Sequence, residues 1–461
     1  MLTTTALAEL AALAGLDPAA SPVEMSGVDP VFPTRYRIGT AGAAALAAVG
    51  LAVSELWALR TGRRQRIAVD VRAAAASLRS TKYFVLDGKP LAGEWDPFSG
   101  FYPVRDGGWI RLHCNFPHHR DHALAVLGAS ERKAAERASL AWEGAALEDA
   151  IHAEGGCAGF VRSAAEWQAH PQAKAVAGLK LLEVSRIGDA PPEALPPGDR
   201  PLSGIRVLDL TRVLAGPTAA KTLAEHGADV LKISGPHLPH SGTVEYDTGL
   251  GKRAAFLDLR LPAERETLRR LAQGADVFSQ SYRPGALAGR GFSPEELARL
   301  RPGIVCVSLS AWGDAGPWRG RRGFDSIVQS VSGMAAASSG DDGAPHLLPV
   351  SAIDYVSGYL MALGTMVALT RRVREGGSWL VTVSLARVGQ WIVDRGREDA
   401  AALEAVAKDL GDEEIARLTI DAATADGVPI RHLAPVTRLS ETPGRWSRPP
   451  APLGYHPPEW S

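Results

Sequence analysis

The sequence between residues 201 and 400 predicts a doubly wound α/β fold, with a mostly parallel sheet and helices on both faces. Short runs rich in β-branched residues alternate there with helical stretches, which is the pattern of βαβ units. The candidate strands are residues 205–210, 229–233, 254–258, 276–279 and 304–308. The candidate helices are residues 216–226, 262–273 and 294–300, each with apolar residues at helical spacing or a proline at its start. Because open sheets of this kind bind ligands beyond the carboxyl ends of their strands, we expect the functional residues in the loops after each run.

The upstream half of the chain predicts a smaller α+β domain. Residues 98–115 read as β-rich and residues 121–181 as helical with a break at Gly155 and Gly156, and a Pro- and Gly-rich stretch at 188–201 comes next. We therefore predict five parts. They are a helix-turn-strand segment at 1–80, a small α+β domain at 81–190, a linker at 191–200, a large ligand-binding domain at 201–400, and an abbreviated remnant of a second small domain with a C-terminal tail at 401–461.

Composition excludes several classes of protein. The 461 residues carry 50 Lys+Arg against 51 Asp+Glu, so a nucleic-acid binder that relies on bulk charge is not expected. Three cysteines without a C-x-x-C pair argue against a disulfide framework or a structural zinc site and favour a reducing compartment. The apolar N-terminus lacks a basic flank and contains Glu9, while the run 41–59 is mostly Ala and Gly and contains Glu55. We expect no secretory signal, a buried helix at 41–59, no membrane association and a cytoplasmic location.

An internal similarity links the two ends of the chain. Residues 61–71 resemble residues 375–385, which lie 314 positions later, and each segment comes after a long helix of Ala, Leu and Gly. The shared pattern is helix, Gly turn and strand. Either a degenerate duplication or two unrelated helix-turn-strand units would produce it.

The turn after the first strand of the large domain is a candidate ligand site. Gly216 and Pro217 would open the next helix, whose free amide groups can hold a phosphate, although a Gly-Pro pair can also simply begin a helix. The absence of G-x-G-x-x-G disfavours a nicotinamide or flavin site. A set of basic residues falls in the neighbouring loops and suits a ligand with several phosphates, such as coenzyme A (CoA), or else forms a solvated rim. Its members are Lys252, Arg253, Arg283, Arg319, Arg321 and Arg322.

Asp354 is the candidate nucleophile. It lies directly before a long apolar helix that we expect to run to about Arg371. One interpretation is that Asp354 is the N-cap of this helix and bonds its free N–H groups. The other is that the helix terminus favours an ionised carboxylate that attacks a carbonyl, with nearby amides stabilising the oxyanion.

Four histidines crowd into the run RLHCNFPHHRDHAL. His113, His118, His119 and His122, with Asp121, raise the possibility of a zinc site. Adjacent His118 and His119 point apart on regular structure and there is no H-E-x-x-H, so no metal is predicted.

Four ordered runs resemble the large domain of the class III CoA-transferases, the superfamily of carnitine CoA-transferases and α-methylacyl-CoA racemases. They are PLSGIRVLDLTRVLAGPTAAKTLAEHGADVLKI, GKRAAFLDL, ADVFSQSYRPGAL and IVCVSLSAWGDAGP. Residues 98–187 resemble the smaller domain of the same superfamily, in which the histidines occur without a metal.

The resemblance implies the site residues and the chemistry. Asp354 with Gly358 matches the catalytic aspartate of the family pattern x-x-x-D-x-x-x-G. Its carboxylate would attack an acyl-CoA thioester, form a mixed anhydride and then an aspartyl-CoA thioester, and pass CoA to a carboxylic acid. The implied CoA contacts are Val213, Leu214, Lys252, Arg253 and Arg322. CoA and acyl-CoA would be substrates, with no permanently bound cofactor and no metal.

Departures from the family pattern keep other functions open. Residues 233–236 lack the usual basic residue, and Gln280-Ser281-Tyr282 replaces Glu-Asn-Phe. Phe324 stands where the racemases have a histidine, which disfavours two-base racemisation. The alternatives are an acyl-CoA racemase or epimerase, a CoA-dependent lyase, and a catalytically silent acyl-CoA-binding protein.

The family resemblance also gives the internal similarity a meaning. Moving 314 positions back from Asp354 reaches Thr40, which cannot serve as a carboxylate nucleophile. The chain is thus interpreted as a fused, degenerate duplication. Because family members form interlocked dimers with sites between two chains, we expect either a homodimer or a pseudo-dimeric monomer.

Overall fold

The N-terminal segment consists of helices and short strands that pack on the large domain. In the computed structural model, residues 2–91, 95–240, 242–340 and 343–460 are described. The elements of the segment are α1 (Leu2–Ala14), β1 (Val23–Ser26), α2 (Ile38–Thr61), β2 (Ile67–Asp70), α3 (Val71–Ser77), β3 (Val85–Leu86) and β4 (Lys89–Pro90). The predicted buried helix at 41–59 is confirmed as α2, which is buried from Ile38 to Trp57. Asp29 caps α2 by accepting the N–H groups of Gly39 at 3.0 Å and Thr40 at 2.6 Å.

The small domain has a hydrophobic core of its own. Its elements and the two helices after it are β5 (Gly100–Pro103), β6 (Trp109–Leu112), α4 (Pro117–Leu127), α5 (Arg132–Ser139), α6 (Gly144–Glu154), β7 (Ala158–Phe160), α7 (Ala164–Ala169) and α8 (Pro171–Ala177). β5, β6 and β7 form an antiparallel sheet that packs on α4, α5 and α6. The expected break is present, because α6 ends at Gly155 in the left-handed conformation with φ 95°.

The large domain is built on a seven-stranded sheet. Its elements are β8 (Glu183–Gly188), β9 (Arg206–Leu210), α9 (Ala215–Glu225), β10 (Asp229–Ser234), α10 (Gly242–Thr248), β11 (Lys252–Phe256), α11 (Pro262–Gln273), β12 (Val277–Gln280), α12 (Pro294–Leu300), β13 (Val305–Ser310), α13 (Asp325–Val331), α14 (Ala352–Glu375), β14 (Ser378–Ser384) and α15 (Leu385–Asp394). The strand order is β11-β10-β9-β12-β13-β14-β8. The five predicted strands are present with ends shifted by up to two residues, and the predicted doubly wound α/β class is confirmed.

The strand order reverses at β9. β10 and β11 continue the sheet on one side of β9, while β12, β13 and β14 continue it on the other, all in parallel. Such a reversal leaves a crevice beyond the carboxyl ends of the two strands that meet there. The loops after β9 and β12 therefore face one ligand-sized space.

One strand of the sheet comes from upstream of the predicted linker. β8 lies within the range predicted as the small domain, but it pairs antiparallel with β14 at the edge of the large sheet. The large sheet thus includes residues on both sides of the Pro-rich stretch.

The C-terminal tail pairs with the N-terminal segment. It contains α16 (Asp412–Leu418), β15 (Thr419–Ala423), β16 (Pro429–Leu433) and β17 (Arg438–Leu439). β16 pairs with β3, and β17 pairs with β2. The two ends of the chain therefore share two small sheets.

Two long apolar helices lie side by side in the main core. α2 packs against α14, and one hydrophobic cluster joins them to α1, α9 and one face of the large sheet. Glu55 of α2 forms an ion pair with Arg374 of α14. By length and composition either helix could cross a membrane, but 89% of the most apolar window of α2 and 100% of that of α14 are buried in the fold.

Candidate active site

A cavity of about 270 Å³ opens at the crevice beside β9 and contains Asp354. Its walls come from the loops after β9, β12 and β13, from the start of α14 and from α4 of the small domain. Three of the predicted CoA contacts line it with Asp354, namely Val213, Leu214 and Arg322. The structure thus brings residues from at least five separate parts of the sequence to one space.

Asp354 is not the N-cap of its helix, so that interpretation is wrong. The helix begins at Ala352, Ser351 occupies the N-cap position without a side-chain cap, and Asp354 lies in the first turn. The cap comes from Asp325, whose Oδ2 accepts the backbone N–H of Asp354 at 3.1 Å, with a further bond to the amide of Ile353. The Asp354 carboxyl is therefore not committed to capping. The helix also runs to Glu375, four residues beyond the expected end.

Two buried carboxyl groups lie next to each other at this helix start. Burial, and then the charge of Asp325, hold the pKa of Asp354 well above its usual range. Burial raises the pKa of Asp325 to about 6, while the amides of Asp354 and Ile353 and the side chain of Gln329 oppose that rise. A carboxylate that is poorly solvated and destabilised by a like charge is more basic and more reactive toward a carbonyl carbon.

Gly358 explains why a glycine stands four residues after Asp354. A Cβ at this position would lie 2.5 Å from the carbonyl oxygen of Ala215 and 2.7 Å from Cβ of Thr218. The helix α14 therefore crosses the start of α9 at a distance that only glycine permits. This close crossing fixes the position of Asp354, one turn earlier on α14, relative to the loop after β9.

Val213 holds an unusual backbone conformation at the cavity wall. Its φ is 67°, in the left-handed region that a β-branched residue rarely occupies. Such a conformation costs of order 1–3 kcal/mol and persists where the surrounding structure enforces it. The tight turn brings Val213, Leu214 and Ala215 together onto the cavity wall.

Arginines dominate the charge of the cavity. Arg212, Arg283, Arg319 and Arg322 line it, and none of the four forms an ion pair with a carboxylate of the described residues. Burial, and then the nearby charge of Arg283, lower the pKa of Arg322. A fifth lining arginine, Arg321, is paired with Asp149 at 2.6 Å. Arg283 and Arg319 are exposed, whereas Arg212 and Arg322 are half-buried. Positive charges gathered around one cavity in this way favour an anionic ligand.

The other two predicted CoA contacts lie away from Asp354. Lys252 is buried, and its Nζ donates to Asp209 Oδ2 at 2.9 Å and to the carbonyl of Pro217 at 2.8 Å. It lines a neighbouring chamber that shares Arg212 and Val213 with the main cavity. Arg253 points to the amino ends of the strands, where it donates to the carbonyl of Glu459 at 2.7 Å and meets Asp229 at 3.4 Å.

An aromatic cluster joins the small domain to the loop before Asp325. The ring of Phe324 stacks on His113, with centroids 3.8 Å apart and planes at 10°. Phe116 and His119 complete the cluster, at 5.9 Å and 5.7 Å from Phe324. Phe324, which the resemblance places where racemases have a histidine, thus makes packing contacts with the small domain.

Sequence reasoning missed several residues that line the cavity. Arg212 and Phe116 are not among the predicted site residues, and His118 and His119 enter the prediction only as a possible metal site or a family feature. The concentration of histidines was the available signal. Across the described ranges, no group of three or more His, Cys, Asp or Glu side chains is placed to hold a metal ion.

Comparisons with known proteins match the large domain and the start of the C-terminal tail. Residues 202–417 match the family model for CoA-transferase family III. A probable fatty acyl-CoA transferase of Mycobacterium tuberculosis is 31% identical over 199 residues, covering 40% of this chain and 50% of the relative. A succinate–glutarate CoA-transferase of Agrobacterium fabrum is 34% identical over 206 residues, covering 41% and 52%. The crystal structure of a hypothetical protein from Mycobacterium tuberculosis is 30% identical with a TM-score of 0.41, covering 43% of this chain and 58% of that one. The chain spans about half the length of these curated relatives.

Proposed function

We propose that this protein, whose residues 202–417 match the model of CoA-transferase family III, transfers CoA from an acyl-CoA thioester to a carboxylic acid, with Asp354 as the nucleophile. Two relatives that match this region carry the names of a fatty acyl-CoA transferase and a succinate–glutarate CoA-transferase. The second name describes the transfer of CoA between two carboxylic acids. The proposal concerns the type of reaction and names no particular donor or acceptor acid.

The observation that carries the proposal is the pairing of Asp354 with unneutralised arginines in one cavity. A CoA-transferase must bind an anionic thioester and an anionic acid beside a carboxylate. Arg212, Arg283, Arg319 and Arg322 supply positive charge without a carboxylate partner among the described residues. Guanidinium groups suit phosphates and carboxylates because they donate in a planar fork.

The reaction would proceed by two anhydrides. A carboxylate oxygen of Asp354 attacks the thioester carbonyl carbon, the C–S bond breaks, and CoA leaves as a thiolate. The thiolate then attacks the Asp354 carbonyl of the mixed anhydride, giving aspartyl-CoA and the free donor acid. The acceptor carboxylate repeats the sequence in reverse, so that the acceptor leaves as its CoA thioester and the Asp354 carboxylate is restored. No step needs an outside oxidant or reductant.

Racemisation is the less suitable chemistry for this site. It requires a second base to remove or return a proton at the acyl α-carbon. Phe324 has no titratable group and is packed against His113. A silent acyl-CoA-binding protein would have the same arginines, so experiment must separate it from a transferase.

Residues 1–190 are proposed to replace a second subunit. α2 and α14 are 24 residues each, start 314 positions apart, and end at Gly62 and Gly376. The small domain contributes His118 and His119 to the cavity within the same chain. We therefore expect the active protein to be a monomer in light scattering after size-exclusion chromatography, whereas a dimer would contradict this part of the proposal.

The test is acyl exchange with covalent trapping at Asp354. The protein is incubated with a panel of acyl-CoAs and carboxylic acids, then treated with hydroxylamine, and the mass of the peptide containing Asp354 is measured. We expect CoA exchange and a hydroxamate at Asp354, both lost in Asp354→Asn. Asp421→Asn is the control, because the Asp421 side chain is 77% exposed and its ion pair with Arg431, at 2.9 Å, lies on the surface.

Two results would change the assignment. CoA binding without exchange or adduct for any donor would indicate a silent binding protein. Exchange of the α-proton with solvent, without movement of CoA between acids, would indicate racemase chemistry.

A further inference from the structure

His119 differs from the other histidine of the aromatic cluster. His113 and His119 are both buried, and both contact the ring of Phe324. The Nδ1 of His113 lies 3.4 Å from Oγ of Ser326, so this ring has a partner in the large domain. The Nδ1 of His119 meets no hydrogen-bond partner among the described residues, although the residue is only 4% exposed.

His119 also lies on the wall of the cavity that contains Asp354. The residue immediately after Phe324 is Asp325, which caps the first turn of α14. The cluster therefore holds the His119 ring beside the loop that positions the nucleophile. Its Nδ1 is sealed inside the fold, so Nε2 is the ring nitrogen that a ligand group in the cavity can meet.

The imidazole of His119 is suited to donate a hydrogen bond and not to carry a proton. Burial, and then the neighbouring His118 and His113, lower its pKa to about 2. The ring is therefore neutral near pH 7 and has one N–H donor. CoA transfer needs no proton at the attacking step, but negative charge develops on the thioester oxygen, where a fixed donor lowers the barrier.

We propose that the neutral imidazole of His119 donates a hydrogen bond to the carbonyl oxygen of the thioester as Asp354 attacks it. The inference rests on the proposed function and adds a catalytic residue from the small domain. As the bond from the Asp354 oxygen to the carbonyl carbon forms, the π electron pair moves to the carbonyl oxygen and is stabilised by the His119 N–H. The pair returns as the C–S bond breaks and CoA leaves as a thiolate, and His119 keeps its proton throughout.

The first test measures the hydrogen bond without turnover. A ketone analogue of acetyl-CoA, in which a methylene group replaces the sulfur, binds without being cleaved. With ¹³C in its carbonyl, infrared difference spectra report the stretching frequency in the bound state. We expect a lower frequency in the wild-type protein than in water, and loss of that shift in His119→Phe, which keeps an aromatic ring against Phe324. His119→Asn, which restores an N–H donor, should recover part of the shift.

His113→Phe is the matched control. It removes an imidazole from the same cluster but keeps the stack on Phe324, and His113 does not line the cavity. The carbonyl shift should survive in His113→Phe. Loss of the shift to the same extent in both variants would show that the cluster acts only through packing and would overturn the inference.

The second test measures the rate of acyl exchange. Loss of one donor to a developing oxyanion lowers kcat by about 100-fold or more, so His119→Phe should show such a fall with little change in KM. The fall should be the same at each pH from about 5 to 9, because the ring does not titrate there. A wild-type rate in His119→Phe, together with normal exchange through Asp354, would overturn the inference and leave the proposed function standing. Absence of exchange in the wild type would instead refute the proposed function, and the infrared shift would still decide whether His119 meets the carbonyl.

Discussion

Substitution of Gly358 by alanine tests whether the crossing of α14 and α9 sets the position of Asp354. In an exposed helix this change is favourable by about 1 kcal/mol, because alanine has the higher helix propensity. Here the added methyl group would lie 2.5 Å from the carbonyl oxygen of Ala215 and 2.7 Å from Cβ of Thr218. Because the first of these atoms belongs to the backbone, the clash cannot be relieved by a change of rotamer.

The required displacement can be worked out from the contact distance. A carbon atom and a carbonyl oxygen approach to about 3.3 Å in close C–H···O contacts, so the two helices must separate by roughly 0.8 Å. Overpacking of this kind costs about 1–3 kcal/mol, which exceeds the gain in helix propensity. Asp354 lies one helical turn from Gly358, and a misplacement near 1 Å can lower a rate by about 100-fold.

Thermal unfolding and acyl exchange measure the two effects. We expect Gly358→Ala to lower the melting temperature by a few degrees and kcat by about 10- to 100-fold, while CoA binding through the arginines is retained. Gly364→Ala is the control on the same helix. Its Cβ would meet only side chains, Val381 Cγ1 at 2.5 Å and Leu182 Cδ1 at 2.8 Å, more than two turns from Asp354. It should lower stability without a comparable loss of kcat.

Either of two outcomes would refute this reasoning. One is a Gly358→Ala protein with wild-type stability and activity, which would mean that the helices adjust at no cost. The other is an equal loss of kcat in both variants, which would mean that general loosening of α14, and not displacement of its first turn, limits the reaction.

Three further substitutions test other parts of the site. Asp325→Asn removes a negative charge that raises the pKa of Asp354. The pKa of Asp354 should therefore fall, and the acidic limb of the kcat–pH profile should move by about one unit to lower pH. An unchanged acidic limb would contradict the coupling of the two carboxyl groups. Arg322→Gln should raise KM for acyl-CoA about tenfold at low salt and less at high salt. Arg253→Gln, at the other end of the strands, should leave KM unchanged. Equal effects of the two substitutions would argue against the placement of the CoA site beside Arg322. Lys252→Met should destabilise the fold by about 3–5 kcal/mol in urea unfolding, because it takes a partner from buried Asp209. The charge of nearby Lys232 also acts on Asp209, so a near-neutral result would show that Lys232 alone compensates that carboxylate.

The sequence predicted the large domain well because its pattern is local. Alternation of β-branched runs with helical stretches identified five strands of the sheet, and the apolar run after Asp354 located α14. The edge strand β8 escaped prediction because its pairing with β14 depends on residues almost 200 positions away. The local residue pattern indicates which segments form strands, whereas the neighbour with which each strand pairs depends on long-range packing.

Four of the six predicted site residues lie at one cavity, and the other two lie elsewhere. Asp354, Val213, Leu214 and Arg322 meet at one cavity. The sequence places Lys252 and Arg253 next to each other, but neighbouring side chains of a strand point in opposite directions. One lies at Asp209 and the other at Asp229. The place of His119 could not be read from its own segment, because it depends on how the small domain docks onto α13.

The contact between α2 and α14 can form only late in synthesis, because α2 is made long before α14. Glu55 and Arg374, which pair across these helices, are 319 residues apart in the chain. At 5–20 residues per second, α2 leaves the ribosome roughly 15–60 s before its main partner. During that interval α1 can cover part of α2, but the face of α2 that packs on α14 stays exposed, and exposed apolar surface invites aggregation or chaperone binding. The nascent chain, more than the finished protein, is then the form that depends on cellular assistance.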